Sequence, residues 1–260
     1  VAWAFDLDGV IWLGDRPIAG SADAVNRLIG VGERMAFVTN NSFGRRSAVV
    51  EKLGRLGIEA ADKVITSAMA AATLVSVGER ALVCGGPGII EELELRGVEV
   101  VDAGEDNADS AVVDVVVVGY HPTFDYRRMT IASGAVRSGA RLLATNDDAT
   151  YPTATGPVPG GGAILASIVT ASGTQPEIAG KPHEPIADMV RELLGSTGTM
   201  VGDRPDTDGR FAVTLGYRFG LVLSGVTSRT DLPTMPPADI VADDLAGLVR
   251  QALSAKTPNR

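Results

Sequence analysis

Cysteine is nearly absent: Cys84 is the single one in 260 residues. An intramolecular disulfide is thereby excluded, and a reducing, cytoplasmic setting is expected. A lone thiol of this kind reads more readily as a buried structural group than as a nucleophile. Histidine is almost as scarce, with only His121 and His183, and neither is needed by the chemistry argued below. No apolar run approaches the ~20 residues of a membrane span; the run Val112–Val118 is broken by Asp114. No basic stretch precedes an apolar core at the N-terminus, so no signal peptide is expected. Positive charge is in deficit, with 23 Lys and Arg against 32 Asp and Glu and a net charge of −9. Nucleic acid and anionic membrane are therefore poor partners, and an anionic substrate must find its cation locally. There is no G-x-S-x-G elbow and no Walker A motif, which leaves serine hydrolysis and P-loop chemistry without support.

Aromatics make up only 5% of the chain, while glycine is plentiful at 31 residues. That mix suits close helix–sheet packing in an α/β protein. Short apolar runs without polar alternation occur at Val1–Phe5, Met35–Thr39, Ala81–Cys84, Val113–Val118, Arg141–Ala144, Thr199–Val201 and Phe219–Leu223. Such runs read as strands buried on both faces of a parallel sheet. Helical stripes lie between them: Val25, Leu28 and Ile29; Val49, Leu53 and Leu56; and Ile186, Met189, Val190, Leu193 and Leu194. The alternation predicts a Rossmann-like, doubly wound parallel sheet. The polar tail Ser254–Arg260 is expected to fray.

Ligands of open α/β sheets collect beyond the carboxyl ends of the strands. Four such ends carry polar residues: Asp6-Leu7-Asp8-Gly9, Thr39-Asn40-Asn41-Ser42, Gly180-Lys181-Pro182 and Gly202-Asp203. Asp6 and Asp8 would repel each other unless a cation shared their site, and Mg²⁺ suits hard oxygen ligands. Asp203 and Asp208 supply two further carboxylates. Either pair alone is matched by ordinary helix-capping aspartates; both pairs together with Thr39 and Lys181 favour a metal-assisted phosphoryl site. In that reading Asp6 attacks phosphorus, Asp8 serves as acid and then base, and Lys181, Thr39 and Mg²⁺ meet the equatorial oxygens. Gly9 lets the backbone pass close to substrate.

Asp6-Leu7-Asp8-Gly9-Val10 resembles the first motif of the haloacid dehalogenase superfamily, DxDG[TV]. Thr39 matches the second motif, Lys181 the third, and Gly202-Asp203 with Asp208 the fourth. The strings Val38–Ser42, Thr66–Ala68, Ala144–Asp148 and Gly180–Pro182 resemble the NagD-like, 4-nitrophenylphosphatase branch. The resemblance implies that Asp6 is nucleophile and metal ligand and that Asp8 binds metal through its backbone carbonyl. It makes Asp203 the remaining protein ligand, with Asp208 acting from outside the ligand shell, and gives Asn40 a contact to the phosphoryl group. It also implies a C2-type cap between the second and third motifs.

Spacing independently calls for an insertion, because Lys181 lies 142 positions after Thr39, far more than one crossover needs. Residues 1–80 and 179–260 are expected to form the core, and residues 81–178 a second α/β lobe that reads the leaving group. Asn146, Asp147, Asp148 and the loop Pro157–Gly162 are the lobe residues expected to face the site. Arg204 either meets a substrate anion or is solvated, and Arg45 and Arg46 read as helix-face charges. The expected function is hydrolysis of a small phosphate monoester, and the sequence leaves room for a homodimer. Competing readings are a phosphotransferase or mutase on the same scaffold, and a non-hydrolytic phospho-acceptor module, which is too short to explain the insertion. A dinucleotide-binding protein built on Gly85-Gly86-Pro87-Gly88 is the weakest, because Glu91 breaks the G-x-G-x-x-G pattern.

Overall fold

The computed structural model describes residues 2–153 and 156–256. The chain opens with β1 (Ala2–Phe5), the short hairpin β2 (Trp12–Leu13) and β3 (Arg16–Pro17), and α1 (Ser21–Gly30). It continues through β4 (Arg34–Thr39), α2 (Arg46–Arg55), β5 (Val64–Thr66) and α3 (Ser67–Thr73). The next segment holds β6 (Arg80–Cys84), α4 (Pro87–Leu95), β7 (Glu99–Asp102), β8 (Val115–Val118), α5 (Tyr126–Arg137) and β9 (Arg141–Ala144). It closes with the hairpin β10 (Thr150–Thr153) and β11 (Gly156–Pro159), then α6 (Gly161–Ser172) and β12 (Glu177–Ile178). The chain returns with α7 (Glu184–Leu194), β13 (Gly198–Gly202), α8 (Arg210–Leu215), β14 (Arg218–Val222), β15 (Ile240–Ala242) and α9 (Leu245–Lys256).

These strands build two separate parallel sheets. The first has the order β15-β14-β13-β1-β4-β5 and the second β12-β9-β8-β6-β7. All their pairings are parallel. Strand order reverses around β1, with β4 on one side and β13 on the other, so the crevice at a topological switch point falls at the carboxyl end of β1. The second sheet starts at Arg80 and ends at Ile178.

Two-sided burial is visible along β1: Ala2 and Ala4 enter one apolar cluster, Trp3 and Phe5 the other. The small side chains face α3, α7 and α8, and the large ones face α1 and α9. The first cluster does not stop at the six-stranded sheet. It runs through the alanines of α3 and the apolar face of α4 to Ala81, Val83, Val115 and Val117 of the second sheet. A third cluster covers that sheet's far face with α5 and α6. Ala68, Ala70, Ala71 and Ala72 are all buried, so α3 is a spacer whose small side chains let both sheets approach.

Some sequence expectations are corrected here. Ile29 and Leu193, placed on buried stripes, are 38% and 41% exposed, because the apolar faces of α1 and α7 are narrower than the stripes drawn. Ser254–Lys256 extend α9 instead of fraying; residues 257–260 lie outside the described residues. Arg45 and Arg46 are not free helix-face charges. They stand within ion-pair distance of Glu91 (3.3 Å) and Glu92 (3.4 Å) on α4, without hydrogen-bond geometry.

Candidate active site

The four expected segments meet in one crevice lined by Asp6, Asp8, Thr39, Lys181, Asp203 and Asp208, among others, although Lys181 follows β12 of the second sheet and not a strand of the first. Asp6 is the first residue past β1, and its N–H still donates to the Val201 carbonyl of the neighbouring strand at 2.8 Å. Thr39 closes β4, and Asp203 follows β13. Because β13, β1 and β4 are adjacent, register alone brings these side chains together.

Lys181 is the charge at the centre. Its Nζ donates to Asp6 Oδ1 and to Asp208 Oδ1, both at 2.7 Å, and all three side chains are buried. Burial alone would lower the lysine pKa, but the two carboxylates hold it above its ordinary value. Burial raises the Asp6 carboxyl well above its usual range; Lys181 opposes this, while Asp208 and Asp203 add to it. Burial also pushes Asp203 up, to about 7, with help from Asp208. Asp8 is raised mainly by burial, against Lys52 and a hydrogen bond from Trp12 Nε1 at 3.2 Å.

Asp6, Asp203 and Asp208 each offer an oxygen within 4.8 Å of the others. Their oxygens are not equally free. Asp208 Oδ1 is taken by Lys181, and its Oδ2 accepts from Arg204 N at 3.2 Å. Asp203 Oδ2 accepts from Val226 N at 2.6 Å, whereas its Oδ1 is buried with no partner. An orphaned carboxylate oxygen in an acidic, all-oxygen cluster fits a hard divalent cation. The cradle around Asp203 is made by glycine: a Cβ on Gly9, which has φ +81°, would stand 2.4 Å from Asp203 Oδ2. Gly9 does not line the crevice. Its place in the fold is explained by Asp203, where the sequence reading gave it to substrate.

The remaining expected residues divide. Asn40 lines the crevice, but its side chain is committed: Lys181 N donates to Oδ1, and Nδ2 donates to Asp148 Oδ2 and the Lys181 carbonyl. Asn146 and Asp148 also line it and are likewise engaged. Asn146 Nδ2 donates to the Asn40 carbonyl at 2.8 Å, and Asp148 Oδ1 accepts from Thr207 Oγ1 at 3.1 Å. Asp147 points the other way, towards His183 at 3.5 Å, and does not line the crevice. Asn146-Asp147-Asp148 lie beyond the end of β9, where no strand geometry fixes side-chain direction. Arg204 does line it, with its guanidinium 3.3 Å from Asp206 and donating to the Thr150 carbonyl at 3.4 Å. Gly160 and Gly161 line it at the start of α6.

Gly86 and Gly88, the core of the weak dinucleotide pattern, have a packing role. Added Cβ atoms there would meet Phe43 at 2.4 Å and the Gly44 carbonyl at 2.3 Å. The N-terminus of α4 thus sits directly on the loop after β4.

Sequence reasoning missed Asn41 as a site residue, together with Tyr120, Tyr151 and Thr207, all of which line the crevice. Asn41 lies inside the string Val38–Ser42 but was given no role there, and no motif marks the two tyrosines. Scarcity was the available signal, since two of only four tyrosines meet here.

Comparison with known proteins agrees with this arrangement. A family model described as haloacid dehalogenase-like hydrolase matches residues 3–99, and a second, HAD-hydrolase-like, matches residues 178–248. An acid sugar phosphatase of Staphylococcus saprophyticus is 34% identical over 245 residues, covering 91% of this chain and 92% of the relative. The p-nitrophenyl phosphatase of Archaeoglobus fulgidus superposes with TM-score 0.86 at 32% identity, covering 96% of this chain and 98% of its own. A glycerol phosphate phosphatase of Mycobacterium tuberculosis, solved in complex with magnesium, superposes with TM-score 0.83 at 32% identity over 95% of this chain and 75% of its own. With the motifs, the sheet order and these relatives in agreement, the chain belongs to the haloacid dehalogenase-like hydrolases, in the NagD-like branch of phosphoric monoester hydrolases.

Proposed function

We propose that the protein hydrolyses a small phosphate monoester by way of a phospho-aspartyl intermediate on Asp6, with Mg²⁺ as the resident metal. The observation that carries the reading is the unequal state of the buried carboxylates. Asp6 is held by Lys181, while Asp203 Oδ1 is buried without a partner. Asp6 and Asp203 are the residues that would hold the ion. Lys181 and the outer carboxylate Asp208 fix the Asp6 side chain. The backbone carbonyl of Asp8 is the further ligand that the family resemblance implies. When bound, Mg²⁺ would neutralise charge on the phosphoryl oxygens.

The chain's own groups account for the proton and bond changes. A carboxylate oxygen of Asp6 forms a bond to phosphorus as the ester P–O bond breaks. Asp8, whose half-buried carboxyl has its pKa raised mainly by desolvation, gives its proton to the departing oxygen. Asp8 then takes a proton from water, whose oxygen attacks phosphorus and releases phosphate and the Asp6 carboxylate. Lys181 and Thr39 stabilise the equatorial oxygens. Residues 81–178 form the cap that closes the leaving-group side, contributing Tyr120, Asn146, Asp148 and Tyr151 to the crevice.

The test is release of inorganic phosphate from 4-nitrophenyl phosphate with Mg²⁺, by wild type and by Asp6→Asn. Loss of release in the variant, with an unchanged fold by circular dichroism, supports the reading; near wild-type turnover removes it. Transfer of the phosphoryl group to an added alcohol in place of water would favour a phosphotransferase.

A further inference from the structure

The side of the crevice next to Asp8, where the leaving oxygen would depart, has its own wall. Tyr120 follows β8, and Tyr151 lies in β10. Their rings stack with centroids 5.2 Å apart and planes 21° from parallel. Phe43 meets Tyr120 edge-on at 6.0 Å, so the stack is braced by the loop after β4. Asn41, on that same loop, donates from Nδ2 to the Tyr151 hydroxyl at 3.2 Å, while its Oδ1 accepts from Phe43 N. The Tyr151 oxygen is therefore an acceptor in that bond, and its own proton has no acceptor among the described residues. The second N–H of Asn41 is also free among them.

Charge in the crevice restricts what such a wall can hold. Asp6, Asp8, Asp148, Asp203 and Asp208 line it against only two cations, Lys181 and Arg204. Lys181 is bonded to two carboxylates, and Arg204 is turned to Asp206 and the Thr150 carbonyl. The phosphoryl group itself needs a cation. A second anionic group on the leaving side would face carboxylates with no uncommitted positive charge, and an unpaired charge in a partly buried site is costly. Hydroxyl groups are matched, since they accept from Tyr151 and Asn41 and lay their C–H faces on the stacked rings.

Resting on the phosphatase reading above, we infer that Tyr120, Tyr151 and Asn41 form a leaving-group subsite for an uncharged, hydroxylated alcohol. It takes a polyol or sugar phosphate in preference to a carboxylated ester. Tyr151 and Asn41 are its specificity-determining residues.

The test compares glycerol 3-phosphate with 2-phosphoglycolate, which match in size and differ in charge. Wild type should favour glycerol 3-phosphate by about tenfold or more in kcat/KM, because a site rejects an analogue that leaves its polar groups mismatched. Tyr151→Phe keeps the ring and removes both the proposed bond to substrate and the acceptor for Asn41, so that ratio should fall about fivefold, mainly through KM. Asn41→Ala should act in the same direction; if it fails to fold, Tyr151→Phe alone decides. Equal or better turnover of 2-phosphoglycolate by wild type, or one common factor of loss on both esters in Tyr151→Phe, overturns the inference. Absence of phosphate release from 4-nitrophenyl phosphate by wild type is a different failure and removes the phosphatase reading. Calorimetric binding of the two esters to wild type then still reads the preference, and equal affinities would overturn the subsite.

Discussion

Asn40 grips the backbone of Lys181 at two points: Lys181 N donates to Asn40 Oδ1 at 2.8 Å, and Asn40 Nδ2 donates to the Lys181 carbonyl at 2.9 Å. A side-chain amide thereby replaces the strand pairing that Lys181, three residues beyond β12, no longer has. The ammonium group that bridges Asp6 and Asp208 is placed from across the crevice, by the loop after β4. Asn40→Ala should leave Lys181 in place only on average. Its kcat should drop by on the order of tenfold to a hundredfold on every ester alike. A steady-state panel of four esters checks this, and a changed order of preference would contradict it.

Asp148 and Asn146 were expected from the sequence to read the leaving group. Their bonds to Asn40 and Thr207 argue for a different outcome. Asp148→Ala should slow all esters by similar factors, because it loosens Asn40 and Thr207 and touches no group in which substrates differ. Measuring kcat/KM for the same panel separates the two: a reordering of substrates would restore the earlier expectation.

Removal of metal should make stability fall as pH rises. Burial pushes the Asp203 carboxyl up from its ordinary 3.8 to about 7, and Asp6 is also raised by burial. A carboxyl raised on folding contributes stability that is fully present below its unfolded pKa and is lost as pH passes its folded pKa. In chelator, Tm should therefore decline between about pH 4 and pH 8. Excess Mg²⁺ should flatten that decline, because the ion favours the charged forms. Calorimetric scans across this range supply the measurement; a Tm that rises with pH in chelator would mean these carboxylates are not destabilised by burial.

Overpacking α3 should be costly. Ala71 is buried between the two sheets, and Ala71→Leu should lower stability by about 1–3 kcal/mol. Thr73→Leu on the exposed face should be near neutral. Urea denaturation of both variants checks the contrast, and a neutral Ala71→Leu would show that the space beside α3 is not filled.

How far the sequence could be read follows from which physics is local. The inner strands β1, β4, β6, β8, β9, β13 and β14 were visible as apolar runs because two-sided burial leaves no polar alternation, whereas the edge strands β5, β7, β12 and β15 were not read from the sequence. Asp6, Thr39 and Asp203 were visible because strand ends in a parallel sheet share one edge; Lys181 follows β12 of the other sheet and reaches them through its hold on Asn40. What stayed hidden depends on side-chain direction after the strand stops. Asp147 and Asp148 differ by one position, yet one faces His183 and the other Asn40. Gly9 carried the right signal, close approach, with the wrong neighbour: a carboxylate of the same chain. Tyr120 and Tyr151 lie 31 positions apart, one just past β8 and the other in the separate hairpin β10–β11, so no strand pairing or local pattern joins them and only the tertiary fold brings the rings together.

The alanine helix α3 also sets the unit of exchange between relatives. Grafting residues 81–178 from another family member onto this core would respect the sheet boundary and still cut through a continuous apolar cluster. The incoming α4 would meet an α3 fitted to a different partner, and Gly86 would have to match a foreign Phe43. A chimera that carries residues 67–178 together with the loop 42–44 transplants the whole joint. A segment exchanged between relatives would therefore need to be larger than the sheet boundary suggests if the apolar joint is to stay intact.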